Sequence, residues 1–434
     1  MLPDLSSGLR RNYGWFLLGL LTLNYPFLLH IMPGIVGLSL LLFGNYLLLI
    51  HVLGSRYKVP LKGNYILPFL YFLLLSAISV LVTGTSSYEQ VAFFMMAFSA
   101  ILLSATSSWK IGFLLALMLY LSLHVFATLF FYYFPEAYPK LIESTPLMVY
   151  PGAWDYRSGL SGHYSFNGMY TAISSIIYAG LFLTSSSLKS RLMLGSGFLL
   201  SFYALSLTTK RAHFIFLIAS IVIVLMVLNY KGPTTQSINR SRFALTSVIA
   251  LGLVFVVFNP AASQIFARIF TDSFNFEQYS SGRTLLWAHA RNTWEQSPIL
   301  GTGWNSFRFT WDDGGAIVTS IGAHNVVLQL LAETGILGTL IFLLVYLYSL
   351  RKTISLLRST AKVAGLPTEH RMTSLTISLL IQTFFGLYCF VGNPLYDSPM
   401  YAIYLLSLAV TVNYGVGATK SDRDLSEVKS HVEF

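Results

Sequence analysis

His324 and Asn325 stand directly before the apolar stretch "VVLQLLAETGILGTLIFLLVYLYSL", which carries Gln329 and Glu333 inside it. A histidine titrates near neutral pH, so one accessible to a polar substrate can act as a general base. Asn325, Gln329 and Glu333 are spaced i, i+4, i+8 and form one polar stripe on a helix. His324 and Glu333 are nine residues apart, which at 100° per residue sets them on opposite faces. The stripe is expected to face other helices, because an unpaired carboxylate near a bilayer centre costs ~2.5–3.5 kcal/mol on insertion scales. Glu333 is therefore read as a packing residue and His324 as the candidate for chemistry. The plain alternative for His324 is an interfacial residue that caps the helix. A helix from 324 to 350 would be ~40 Å long at 1.5 Å per residue, so its first turns can stand above the hydrocarbon.

The second set of candidates is cationic. Lys210 and Arg211 lie in "LSLTTKRAHF", between two apolar runs, and Arg283 lies in a long polar stretch. Arginine offers a rigid fork of donors to a phosphate and lysine a mobile point charge, so all three suit phosphate binding. A snorkelling pair at the headgroups is the alternative for Lys210 and Arg211. Arg157 and His163, in "RSGLSGHYSFNGMY", are further candidates beside the start of another apolar run. Arg283, Trp287, Ala290 and Trp294 share a stripe at 3.6 residues per turn, which predicts a short amphipathic helix stopped by Pro298 and by a turn at Gly301 and Gly303. That helix would also be explained by tryptophans anchoring it at the interface. Asp312 and Asp313 are adjacent carboxylates in a Gly-rich loop, a pattern more often solvated than metal-bound. No Walker loop, HExxH or nucleophile elbow occurs, and the single cysteine, Cys389, excludes an intramolecular disulfide and a thiolate metal cluster.

These candidates must be held by membrane helices. Of 434 residues, 55% are hydrophobic and only 10% charged, the profile of a polytopic membrane protein. Runs long enough to cross ~30 Å of hydrocarbon give about twelve spans. They fall near 15–31, 34–53, 65–84, 90–107, 111–134, 164–185, 192–208, 212–230, 243–259, 324–350, 372–392 and 401–416. The first is expected to be retained, since no small-residue cleavage site follows it. With the N-terminus cytoplasmic, 19 of the 27 lysines and arginines fall inside, as the positive-inside rule expects. The net charge of +10 is then mostly topology, with no reason to propose nucleic-acid binding. Lys140, Arg157, Lys210, Arg211, Arg268, Arg283, Arg291 and Arg308 break the trend and lie on the outer side. Residues 1–434 read as a single integral membrane domain, all-α, with a first extracytoplasmic loop at 135–163 and a major helical one at 260–323. The tail at 417–434 reads as a solvated cytoplasmic end, and both termini as cytoplasmic.

The run "GRTLLWAHARNTWEQSPILGTGWNSF" followed by "AHNVVLQLLAETGILG" resembles the shared region of the bacterial O-antigen ligase and O-antigen polymerase (Wzy-type) superfamily, here at 282–340. The match rests on Arg283, Trp287, the Pro-x-x-Gly-x-Gly run from Pro298, Phe307, His324, Asn325, Glu333 and Gly335. It extends loosely back to "TTKRAHF" and "GHYSFNG". The resemblance implies about twelve helices in a GT-C-like arrangement in the bacterial plasma membrane, with an extracytoplasmic active site. It implies a glycosyltransferase that moves a glycan from an undecaprenyl diphosphate carrier to an acceptor sugar hydroxyl, with inversion and with no cofactor or metal. By resemblance His324 is the base, Arg211, Arg283 and Lys210 hold the diphosphate, and Asn325, Arg157, His163, Trp287 and Arg291 line the substrate. The implied partners are the lipid-linked oligosaccharide, the acceptor glycan, membrane lipids and a chain-length regulator. Polymerisation of O-antigen, capsule or exopolysaccharide repeats is the favoured activity. Ligation to lipid A–core or another terminal acceptor is the alternative, and a lipid-glycan transporter or flippase is the competing class.

Overall fold

The computed structural model describes residues 88–104, 109–144, 155–229, 283–307, 322–360 and 367–432, with shorter pieces within 39–47, 70–75, 245–264 and 311–318. The first expected span and most of the second and third lie outside the described residues, as do Tyr150, Trp154, Asp313, Arg268, Arg308 and the side chain of Asp312.

The described chain is almost entirely helical: α1 Tyr88–Ser104, α2 Trp109–Tyr133, α3 Ala137–Ser144, α4 Tyr164–Thr184, α5 Leu188–Leu207, α6 Arg211–Asn229, α7 Arg283–Gln296, α8 Val326–Thr360, α9 Pro367–Tyr388 and α10 Ser398–Val432. One short antiparallel pairing joins Trp311–Asp312 to Ile317–Val318. Five of the helices, α2, α4, α5, α6 and α8, are long and apolar enough to cross a membrane. The protein is an all-α polytopic membrane protein.

Composition decides which helix goes where. α9 lies at the centre and packs against α4, α6, α8 and α10. α4 can be buried because its sequence is rich in small residues, which let backbones approach: Ser174 meets Ser201 of α5 at 2.9 Å, and Gly180 receives the Ile377 side chain of α9. Polar side chains tie α8, α9 and α10 together, with the Thr353 and Thr411 hydroxyls 2.8 Å apart and the Gln382 amide donating to Thr411. The faces that stay uncovered are apolar, such as Leu115, Leu119, Leu123 and Phe126 on α2 and Leu340, Leu344 and Leu347 on α8, as a lipid-facing surface requires.

Three expectations need adjustment. The helix expected over 324–350 starts at Val326, runs on to Thr360 through part of the expected inner loop, and is broken at Gly335, whose φ of 62° is not helical. His324 lies before the helix in the left-handed region, with φ 50°, so helical spacing does not govern its direction. The backbone of α10 continues to Val432 through most of the expected tail.

Candidate functional site

Three chain segments converge where α5 passes to α6, where α8 begins and where α9 passes to α10. At the first, α5 and α6 are joined by a turn in which Thr209 adopts φ 57°, a conformation a β-branched residue rarely takes. That tight turn sets Lys210 and Arg211 at the helix ends. The Lys210 ammonium lies 4.0 Å from the centre of the Tyr164 ring, with the Arg157 guanidinium 5.8 Å from the same ring. His163 stacks on Tyr164 at 4.5 Å and caps α4 by accepting the Ser165 N–H at Nδ1. Tyr164, absent from the sequence candidates, therefore joins the first outer loop to the Lys210 turn. Arg157 is already committed to Asp155, with Nε donating to Oδ2 at 2.6 Å.

The second segment carries His324. Asn325 rather than His324 caps α8: its Oδ1 accepts the Leu328 N–H at 3.0 Å and its Nδ2 donates to Phe390 O at 3.1 Å. The polar stripe faces inward. Gln329 donates to Glu333 at 3.1 Å and accepts from Ala323 N–H at 3.0 Å. Glu333 is fully buried and also accepts from Asn305 N–H at 2.8 Å, Phe307 N–H at 3.0 Å and the Tyr396 hydroxyl at 2.6 Å. All its lone-pair directions are used by scaffold, which makes it a clamp between loop and helix.

The third segment is the connection "CFVGNPLYD", residues 389–397. Its carbonyls receive Val326 N–H at Cys389 O, 2.8 Å, and Arg283 Nη1 at Val391 O, 2.9 Å. Arg283 opens α7, and the Trp287 indole one turn later donates to Ala323 O at 3.1 Å, next to His324. Arg291 instead points outward, paired with Glu295 at 2.8 Å. With Trp287, Trp294 and Leu328 it lines a groove of about 580 Å³ between α7 and α8.

Charge couples these segments. Burial, with Arg283, Lys210 and His163 nearby, pushes the His324 imidazolium down to about 4, because a positive charge is disfavoured both away from water and beside other cations. His324 is therefore neutral, with a lone pair to offer, beside cations that suit a polyanion. His213, one turn into α6, lies within reach of Lys210 and Arg283. The structure thus brings Lys210, Arg283, His163 and His324 into one field, with Arg211 half-buried at the adjoining helix end.

Sequence reasoning missed Tyr164, His213, Tyr388 and the 389–397 connection. A Gly-Asn-Pro turn signal and a lone aspartate before an apolar helix were the available signs. The three non-glycine residues with positive φ among the described residues, Thr209, Asn305 and His324, all lie in segments that build the site, and strain of this kind collects where geometry is over-determined.

A family model described as O-antigen ligase matches residues 196–343, from within α5 to the middle of α8. The match supports the likeness of that segment to the O-antigen ligase and polymerase superfamily. Lys210, Arg211, Arg283 and His324 lie inside the matched segment, whereas Arg157, His163 and the 389–397 connection lie outside it. A comparison with curated proteins found no match.

Proposed function

We propose that the protein transfers a glycan from an undecaprenyl diphosphate carrier to a sugar hydroxyl at the outer membrane face, polymerising O-antigen, capsule or exopolysaccharide repeats. The observation that carries the proposal is a neutral histidine held beside Lys210 and Arg283 at one end of a membrane bundle. In the step, the acceptor oxygen bonds to the anomeric carbon from the side opposite the diphosphate. The bond from that carbon to the diphosphate oxygen breaks, and its electron pair leaves with undecaprenyl diphosphate. The acceptor's proton passes to His324. Arg283, Lys210 and Arg211 offset the charge that develops on the leaving oxygen, the task for which preorganised cations are most effective. No step calls for a metal.

The same cations explain how the base is controlled. Burial first, and these cations after it, hold His324 at about 4, a weak base. A bound diphosphate offsets their charge, and an anion nearby favours the protonated imidazole, so donor binding strengthens the base that the reaction uses. Ligation to a terminal acceptor is the second reading, favoured by the description of the matched family, and its chemistry at this site is identical.

Purified protein given lipid-linked repeats and no energy source is expected to release undecaprenyl diphosphate and to build a product ladder. A strict need for an added core acceptor would indicate ligation. His324→Ala is expected to slow release at least a hundredfold, the usual range for loss of a general base being ~10²–10⁴. A variant that works as fast as the parent would remove His324 from the mechanism, and no release by the parent would remove the enzyme reading.

A further inference from the structure

The end of the bundle away from His324 carries a second group of cations. Lys110 is the second residue of α2, and Arg371 lies in the opening turns of α9. Between Arg371 and Tyr388, α9 covers about 25 Å at 1.5 Å per residue, most of the hydrocarbon thickness. A lysine that only marks topology stays in water or snorkels outward from its helix end. Lys110 turns inward instead. It is 9% exposed, its ammonium donates to Asn413 Oδ1 of α10, and it stands 3.4 Å from the centre of the Tyr414 ring. Asn413 is held in place by donating to Ser104 O of α1 at 3.1 Å. The Arg371 guanidinium lies 5.6 Å from the centre of the same Tyr414 ring, and its Nε is buried with no hydrogen-bond partner among the described residues. Neither cation pairs with a carboxylate among the described residues.

Beside Lys110 a narrow slot of about 60 Å³ runs between α2 on one side and α9 and α10 on the other. From Lys110 to Leu117 it is ~10 Å long at 1.5 Å per residue, with Phe113, Leu117, Ile381 and Ile403 among its walls. Two of its hydroxyls are already used: Ser378 donates to Ser407 O and Ser407 to Tyr404 O, each at 2.6 Å. The slot is thus apolar along its length and cationic at one end. α2 packs mainly against α4 and α5, which leaves this side of it to be filled.

We propose that the slot holds one acyl chain of an anionic phospholipid, with the lipid phosphate at Lys110 and Arg371, in the leaflet away from His324. The two parts of the site select together. The apolar walls suit a hydrocarbon chain and give a hydrated ion nothing to bind. The cations suit a head of net negative charge, and basic pockets between membrane helices bind such heads; a zwitterionic head would bring its own ammonium against them. Burial, and Arg371 after it, push the Lys110 ammonium down to about 7, and a phosphate alongside would favour its charged form. The site does not depend on the glycosyl-transfer reading.

The test adds phosphatidylglycerol or phosphatidylcholine to delipidated full-length protein in detergent and counts bound lipid by native mass spectrometry. The parent is expected to bind one phosphatidylglycerol at least tenfold more tightly than phosphatidylcholine, and excess inorganic phosphate is expected not to displace it. Lys110→Met and Arg371→Gln should each weaken phosphatidylglycerol about fivefold, the usual worth of one cation beside an anionic lipid. Arg351→Gln, which removes an exposed cation at the same end, should leave it within twofold. Phosphatidylglycerol brominated along its chains is expected to quench Trp109, which lines the slot, so the parent loses more fluorescence than Trp109→Phe. A parent with no preference between the two lipids overturns the proposal whatever the variants do. Equal losses in Arg351→Gln and Lys110→Met, equal quenching in parent and Trp109→Phe, or displacement by inorganic phosphate would each overturn it as well.

Discussion

At the scale of single residues, the balance between His324 and its neighbours decides how the proposed reaction responds to pH. Burial, Arg283, Lys210 and His163 all lower the imidazolium to about 4, so the base form dominates above that pH and is lost as pH falls through it. The profile of kcat/KM reports the free enzyme and that of kcat the loaded one. The acid limb of kcat/KM is therefore expected near pH 4, and that of kcat at higher pH, because the diphosphate offsets the two cations and raises the proton affinity of His324. Coincident limbs for kcat and kcat/KM would show that the bound diphosphate does not act on His324.

At the scale of elements, the site depends on a helix that is broken and mended by another segment. At the Gly335 break, Ile336 N–H and Leu337 N–H donate to Pro298 O and Ile299 O at 2.9 and 3.3 Å, while Ala332 O and Glu333 O accept from Thr302 and Gly303 N–H at 3.1 and 2.7 Å. In an unbroken helix those four groups would pair with one another, so the 298–303 loop is spliced into α8 and leaves none of the four unsatisfied, as a membrane protein demands. Gly301 and Gly335 both have positive φ, 70° and 62°, and a Cβ on either would strike the other segment's backbone. Gly335→Ala is expected to cost at least ~2 kcal/mol, combining a side chain forced into the essentially glycine-only conformation of φ 62° and ψ −169°, at ~1–3 kcal/mol, with at least one weakened buried hydrogen bond. Thermal unfolding in detergent measures it, with lipid-facing Leu344→Ala as the control; equal midpoints for the two variants would contradict the spliced arrangement. The amphipathic α7 and the polar stripe on α8 were legible in the sequence because both follow helical periodicity. The splice was not, since its hydrogen bonds join residues 30 to 38 positions apart and an isolated glycine in an apolar helix is common. The direction of His324 was hidden likewise, because its positive φ of 50° removes it from the helical wheel.

At the scale of the whole molecule, the distribution of ionisable groups separates an enzyme from a transporter. A transporter places its site at the bilayer midplane, between discontinuous helices whose free ends hold the cargo. Here α8 is discontinuous, but its free groups are taken by the 298–303 loop, and Glu333 beside the break is saturated by scaffold donors. Lys210, Arg283, His163 and His324 influence one another where three helix connections meet, and the proposed reaction there would draw on one leaflet. In vesicles carrying fluorescent lipid-linked glycan in both leaflets, consumption is expected to stop when the leaflet facing that end is exhausted, with the other pool still protected from a membrane-impermeant quencher. A second dose of donor added to the exhausted leaflet restarts turnover. Consumption of both pools by the protein alone would mean that it carries lipid-linked glycan across the bilayer, and the transporter class would then displace the one-sided enzyme.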